Sequence, residues 1–291
     1  GYLRPYWVTY ERDGANGHSP VTSRSVAQLT HALSGHDPDL REAPARWGAL
    51  RQHVFYGALY HWLVLTANRR YRAVRPHRQL TVAQEFAVYL KRLALMPAHW
   101  LDRVLATRRI IRGAFPYHLA LLQLEHDASF RDHGPFESQS DFVRQVIAAF
   151  AKGAPAHHHL VFKAHPLEDD RVPLSRDIAG IATEAGIAPR THFVRGGKLA
   201  FLLDRARSAV TVNSTAAQQA LWRGLPLKAF GRAVYGKPEL VSDQPLTAFY
   251  AAPQAPDRQA YRVFRQYLME TSQITGSFYA ARGRPEFMRK V

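Results

Sequence analysis

Leu160-Val161-Phe162-Lys163-Ala164-His165-Pro166 and, further along, Ala209-Val210-Thr211-Val212-Asn213-Ser214-Thr215 are the stretches whose reading decides the fold. Each is a short apolar run that stops abruptly in small polar or cationic groups. Buried strands leave a parallel sheet in this way. The pattern around them is regular. Strands are expected at 160–164, 191–194, 209–213 and 226–230, with helices at 175–186, 198–206 and 216–223. Strands alternating with helices of that length predict an α/β protein with a doubly wound parallel sheet. Ligands of such sheets sit beyond the carboxyl ends of the strands. His165, Asn213, Ser214, Thr215 and Gly231 all fall there.

Upstream, Phe115 to Leu124 reads as another strand, with the polar exit Gln123-Leu124-Glu125-His126-Asp127. Ser140 to Ala151 is an amphipathic helix. Residues 24–112 carry helical periodicity, clearest at Trp47 to Ala67 and Thr81 to Leu95. Thr81 suits an N-cap, with Gln84 at the capping-box position. Arg69, Arg70, Arg72, Arg75 and Arg78 make this a basic helical layer. The first twenty residues are loop-like, with a strand at Tyr6 to Tyr10 and turns at Asp13-Gly14 and Asn16-Gly17. After Pro253 the chain is helical again, most strongly from Asp257 to Thr271.

With 291 residues the chain has room for two average domains. It contains no cysteine, which excludes disulfides and thiolate metal sites. Thirty-nine Lys and Arg against 23 Asp and Glu give a formal charge of +16. Such a surface attracts polyanions: nucleic acid, an anionic membrane face or a phosphorylated substrate. No aromatic-basic stacking motif supports nucleic acid, which is not expected as a partner. No apolar run approaches the roughly 20 residues of a membrane span. Gly1-Tyr2-Leu3-Arg4-Pro5 reads like the middle of a domain, so further sequence is expected upstream.

The candidate site residues gain meaning in combination. Lys163 and His165 place two cationic groups at a strand end, and Pro166 fixes the loop. Imidazole there can donate to a phosphate oxygen or protonate a leaving group. Asn213-Ser214-Thr215 precede a helix and offer hydroxyls and free backbone N–H groups, a setting for phosphate. Alone, each is an ordinary loop or capping group. Asp127 follows a buried strand, where a carboxylate can act as general base or as nucleophile at an anomeric carbon. His157-His158-His159 looks like a metal tract. Adjacent residues of a strand point to opposite faces, however, and no metal site is expected.

Several separated motifs resemble one family. They are Gly1-Tyr2-Leu3-Arg4-Pro5 with Thr9-x-Glu11-x-x-Gly14-x-Asn16-Gly17-x-Ser19; Leu122-Gln123 with Asp127; Lys163-x-His165-Pro166-Leu167; Val212-Asn213-Ser214-Thr215; Leu225-Pro226 with Gly231-x-Ala233-x-Tyr235; and Gly276-Ser277-Phe278-Tyr279. Together they resemble the capsular polysaccharide synthesis proteins of the KpsS type, relatives of the KpsC-type Kdo transferases. The resemblance implies a GT-B architecture of two Rossmann-like domains facing a cleft, the first truncated at its N-terminus and carrying the helical layer. On that reading residues 1–150 are the acceptor-side domain, 151–250 bind the CMP-sugar, and 251–291 pack back on the first domain. The implied reaction moves Kdo from CMP-Kdo to a phosphatidylglycerol-type lipid, with retention, at the cytoplasmic face of the inner membrane. Capsule assembly and export proteins are implied partners, and no cofactor beyond the donor is expected.

Carried over by residue, the resemblance makes Asp127 the catalytic carboxylate and His165 the group that assists phosphate departure. Lys163, His165, Asn213, Ser214 and Thr215 hold the donor. Arg4 and Glu11 belong to the acceptor side. Two features depart from the family pattern. The acidic pair that usually precedes Gly-Tyr-Leu-Arg-Pro lies outside this sequence, and Ala216-Ala217 stands where glycine is frequent. Two alternatives stay open: transfer of another CMP-sugar such as a sialic acid, and a non-catalytic role in capsule assembly or export.

Overall fold

The structure, a computed structural model, describes residues 2–3, 7–35, 81–166, 168, 172–196 and 198–275, with isolated positions between 55 and 66 and at 285, 288 and 289. The expected helix at Trp47 to Ala67 lies largely outside the described residues; positions 55, 56, 58, 59, 62, 63 and 66 within it are helical. The arginines of 69–78 lie outside them entirely, as do Leu167 and the Gly276–Tyr279 motif.

The chain begins with β1 (Trp7–Thr9), two 3-10 turns at Asn16–His18 and Pro20–Ser23, and α1 (Val26–His31). Then come α2 (Val82–Arg112), β2 (Tyr117–Leu121), α3 (Ala128–His133), α4 (Gln139–Gly153) and β3 (His159–Lys163). The second half runs α5 (Leu174–Glu184), β4 (Thr191–Val194), α6 (Ala200–Leu203), β5 (Ser208–Thr211), α7 (Ala217–Trp222) and β6 (Leu227–Ala229). It closes with α8 (Leu246–Ala251), α9 (Arg258–Thr271) and β7 (Gln273–Thr275).

Strands β2 to β6 form one parallel sheet in the order β4-β3-β2-β5-β6. In chain order this is the 3-2-1-4-5 arrangement of a doubly wound sheet. Its switch point lies between β2 and β5, where the winding reverses. Both faces are covered. One face buries Leu119, Val161 and Ala209 against Leu221, Tyr261 and Phe264. The other buries Ala120, Leu160, Phe162 and Val210 against Phe142, Val146, Phe150 and Phe249. Full burial of such side chains is worth about 1.5–3 kcal/mol each.

Local chemistry explains the helices that matter. Helix α4 starts on a capping box between Ser138 and Asp141 and buries Phe142, Val143, Val146, Ile147 and Phe150, an amphipathic stripe. Helix α2 starts on the Thr81–Gln84 capping box and runs 31 residues, past the expected end at Leu95. Pro97 removes only one backbone hydrogen bond and sits exposed, and strong helix formers follow it, so the helix continues.

The expected boundary at residue 150 falls inside α4, and β2 on its N-terminal side is the central strand of the sheet. The sheet unit therefore begins near residue 115. Among the described residues the expected first Rossmann-like domain supplies no parallel sheet of its own. Its β1 instead pairs antiparallel with β7, register Trp7 to Thr275. The C-terminal helix α9 packs on α1, and Tyr2, Val21 and Leu29 join the core cluster of α7 and α9. No helix of the described residues is long and apolar enough to cross a membrane.

Candidate functional site

The carboxyl edge of the sheet collects the sequence candidates. Strand β2 exits through Leu122-Gln123 toward Asp127, β3 through Ala164-His165, and β5 through Val212-Asn213-Ser214-Thr215. Strands β3 and β5 are the two hydrogen-bonded neighbours of β2, so their exits lie about 10 Å apart at the usual strand spacing. His165 and Ser214 thus leave the same edge of the sheet, on either side of the Gln123 exit.

Gln123 organises this edge. Its Nε2 donates to Asn213 Oδ1 at 2.7 Å, and its Oε1 accepts from the Asn213 backbone N–H at 2.9 Å. Its own carbonyl accepts from Gln139 Nε2 at 2.7 Å. Asn213 Nδ2 donates to the Ser129 carbonyl. The Asn213 amide is therefore spent inside the protein, tying the β5 exit to the start of α3. Gly231, after β6, completes the clamp. A Cβ there would lie 2.7 Å from the His133 carbonyl and 3.0 Å from Asn213 Nδ2.

Two carboxylates follow β2, and their settings differ. Glu125 Oε2 accepts from the Gln139 backbone N–H at 2.8 Å, so it is tied to the first turn of α4. Asp127 is the N-cap of α3; its Oδ1 accepts from Ser129 N–H at 3.0 Å while the residue stays exposed. His165 is half-buried, and its carbonyl accepts from Glu168 N–H at 3.0 Å. Lys163 ends β3, 4% exposed, with Nζ donating to the Ala164 carbonyl at 2.9 Å. Burial, with help from the Arg103 guanidinium, pulls its pKa down to about 8.

Ser214 is buried; its Oγ accepts from Ala216 N–H at 3.2 Å and its carbonyl accepts from Tyr235 OH at 2.7 Å. The serine hydroxyl thereby braces the turn before α7, whose N-cap Ala216 has no side-chain cap, so the expected capping by Asn213-Ser214-Thr215 is replaced by a tight turn. The hydroxyl proton is left for another acceptor. Thr215 is exposed beside it.

On the N-terminal side, Glu11 follows β1. Both of its carboxylate oxygens are buried atoms without a hydrogen bond of ordinary geometry. Burial raises its pKa, and the nearby Ser19 and Ser272 hydroxyls offset only part of that. The Asn16–His18 turn after it touches α3. The His18 and His133 rings meet edge to face at 4.5 Å, and a Cβ on Gly17 would lie 2.4 Å from the His133 ring. Arg4 lies outside the described residues.

The histidine tract splits as strand geometry requires. His158 meets His118 at 2.9 Å on the α4 face, while His159 meets His192 at 2.8 Å on the other and stacks on Phe115. Open grooves of about 450 and 330 Å³ run between α2 and β4, lined by Asp102, Phe193 and Arg195 among others. Neither is lined by Asp127, Asn213 or Ser214. Sequence reasoning missed the roles of Gln123 and Tyr235. The signal for the first was an amide at the exit of a buried strand, where a polar group needs partners.

Comparison with known proteins shows what the chain is similar to. LipB, a capsule polysaccharide modification protein of Neisseria meningitidis serogroup B, is 26% identical over 282 residues, covering 96% of this chain and 67% of LipB. KpsS, a capsule polysaccharide export protein of Escherichia coli, is 25% identical over 288 residues, covering 96% of this chain and 71% of KpsS. Among solved structures, the β-Kdo 2,7 transferase KpsC of Thermosulfurimonas dismutans aligns with a TM-score of 0.38 and 15% identity, over 60% of this chain and 56% of that one. The chain thus spans about two thirds of these curated relatives and little more than half of KpsC. Residues 1–279 match the family of capsule polysaccharide biosynthesis proteins, and the chain belongs to that family.

Proposed function

We propose that this chain carries the donor half of a GT-B glycosyltransferase that moves Kdo from CMP-Kdo to a phosphatidylglycerol-type lipid at the start of capsule synthesis. One observation carries the reading: in a member of a capsule-synthesis family, Asp127, His165 and Ser214 leave three neighbouring parallel strands at the same edge, beside the switch point. Donors that aim at a leaving phosphate are the largest expected contribution, typically roughly 3 kcal/mol each in the transition state. His165, Ser214 and Thr215 fill that role, and Lys163 adds a buried cation beside them.

The step proceeds in two displacements. An Asp127 oxygen bonds to the anomeric carbon as the bond from that carbon to the phosphate oxygen breaks, and CMP leaves with the electron pair. The lipid hydroxyl oxygen then bonds to the anomeric carbon as the bond to Asp127 breaks. Asp127 leaves as a carboxylate with that electron pair, and the hydroxyl proton passes to water, so the configuration is retained. Glu125, committed to the start of α4, is the carboxylate not used. Asn213 serves by holding the Ser214 loop rather than by touching donor. Arg4 and Glu11 belong to the acceptor side, and the cytoplasmic face of the inner membrane is the place of action, with capsule export proteins as neighbours.

The test is incubation with CMP-Kdo and a fluorescent phosphatidylglycerol analogue, following CMP release and lipid product. Asp127→Ala and His165→Ala are each expected to slow turnover at least about a hundredfold. Unchanged CMP release in both variants overturns the mechanism. Transfer from CMP-sialic acid but not from CMP-Kdo moves the reading to another donor.

A further inference from the structure

Helix α2 has two unlike faces. One lies against edge strand β4: Ile110 is buried, Asp102 pairs with Arg195 at 3.4 Å, and Arg109 lines the groove beside His192. The other face is apolar and open. Leu90, Leu93, Met96, Trp100 and Leu101 are each 45–55% exposed. Steps of three and four residues, from Leu90 to Leu93 to Pro97 to Trp100, hold the stripe on one side of the helix. A second helical stretch repeats this chemistry, with Phe55, Trp62 and Leu63 all more than half exposed. Apolar surface on this scale marks an interaction site.

Charge decides the partner. Residues 82–112 hold six Lys and Arg against two acids, and one of those acids, Asp102, is already neutralised by Arg195. Arg108 and Arg112 are exposed near the end of the stripe. An apolar stripe with a surplus of cations and a Trp matches acyl chains under anionic headgroups. Nucleic acid has no use for the leucines. The helix is not apolar enough to span, so it would lie in the interface plane.

We propose that α2 is an interfacial docking helix, its stripe sunk into an anionic phospholipid surface and its arginines at the phosphate level. Because Arg195 at the end of β4 is clasped by Asp102, docking would also hold the carboxyl edge of the sheet near the lipid. The inference extends the lipid-acceptor reading, but it is tested without any sugar donor, so the two fail separately.

The full chain is sedimented with vesicles of phosphatidylethanolamine containing one quarter phosphatidylglycerol, and with pure phosphatidylcholine. Binding is expected to the first only. Leu93→Ser with Trp100→Ser should lower the partition at least about tenfold, and Arg108→Glu with Arg112→Glu should do the same. Brominated lipid should quench the tryptophan fluorescence of the unaltered chain, and less so in Trp100→Phe; this readout holds even if a double variant folds poorly. If the Leu93/Trp100 variant binds as the unaltered chain does, or brominated lipid quenches nothing, the contact is electrostatic only and the proposal falls. It also falls if the chain ignores both vesicle types while the stripe variant breaks up a protein oligomer.

Discussion

Gln123 makes three hydrogen bonds from one buried residue, and all three join parts of the site edge: two to Asn213 and one from Gln139. Replacing it with Ala would leave the Asn213 Oδ1 and backbone N–H buried without partners. An orphaned buried polar group costs about 1–3 kcal/mol. Gln123→Ala is therefore expected to lower unfolding stability by about 2–4 kcal/mol. It should also slow any transfer reaction, because the Ser214 loop loses its tether. Urea denaturation reads the first effect; a midpoint equal to that of the unaltered chain would show that the clamp is idle. The same scale explains why Asp127 and Glu125, both visible in the sequence as acids after a strand, part company. Glu125 is half-buried and tied to the start of α4, while Asp127 caps α3 and stays exposed, a distinction made by a backbone N–H fourteen residues away from Glu125. Composition and spacing do not encode that contact. The polar exit itself, and the residue types on it, were legible.

Between the elements, histidines are packed where they cannot carry charge. His118, on the central strand, is fully buried against Ser208, His158, Phe150 and Tyr250, and burial, with His158 and Arg207 nearby, drives its pKa to about 3. His192 on β4 falls to about 4 by burial and the proximity of His159 and Arg109. In the unfolded chain both titrate near 6.5. Between these values the unfolded chain binds protons that the folded chain does not, so stability is complete above about pH 6.5 and falls as pH drops. For His118 the loss by pH 4 is on the order of 3 kcal/mol. His118→Gln should flatten the fall of melting temperature between pH 7 and pH 4, and an unaltered slope would refute the assignment. Most strands of the sheet were readable as apolar runs: β3, β4, β5 and β6 fall within two residues of expectation. The full length of α2 was not, because Pro97 is a strong stop signal locally and a weak one on an exposed helix face. Nor was the central place of β2, since pairing order depends on contacts between strands distant in sequence.

Across the whole molecule, the first thirty residues and the last helix close on the same side of the sheet, and Lys237 is the pin between them. It is 3% exposed, and its Nζ donates to the carbonyls of Val21 at 2.8 Å and Arg24 at 2.6 Å, with the Phe264 ring of α9 at 6.0 Å. Burial lowers its pKa to about 8, so near neutral pH it holds the two carbonyls as a cation. No local pattern announces such a contact, whose partners lie 216 and 213 positions apart. Lys237→Met keeps the length of the side chain and removes the donors, stranding two carbonyl oxygens. Among the described residues β1 pairs with β7 over three residues, and the rest of the N-terminal segment is held by the packing of α1, Val21 and Leu29 on the α9 side rather than by the sheet. The cost, about 1–3 kcal/mol, should therefore be felt there first. Hydrogen exchange is expected to quicken at the amides of 21–31 while β2, β3 and β5 keep their protection. Equal loss of protection in the sheet would mean that the N-terminal segment and the sheet open as one cooperative unit, and that Lys237 supports the core rather than joining a separable piece to it.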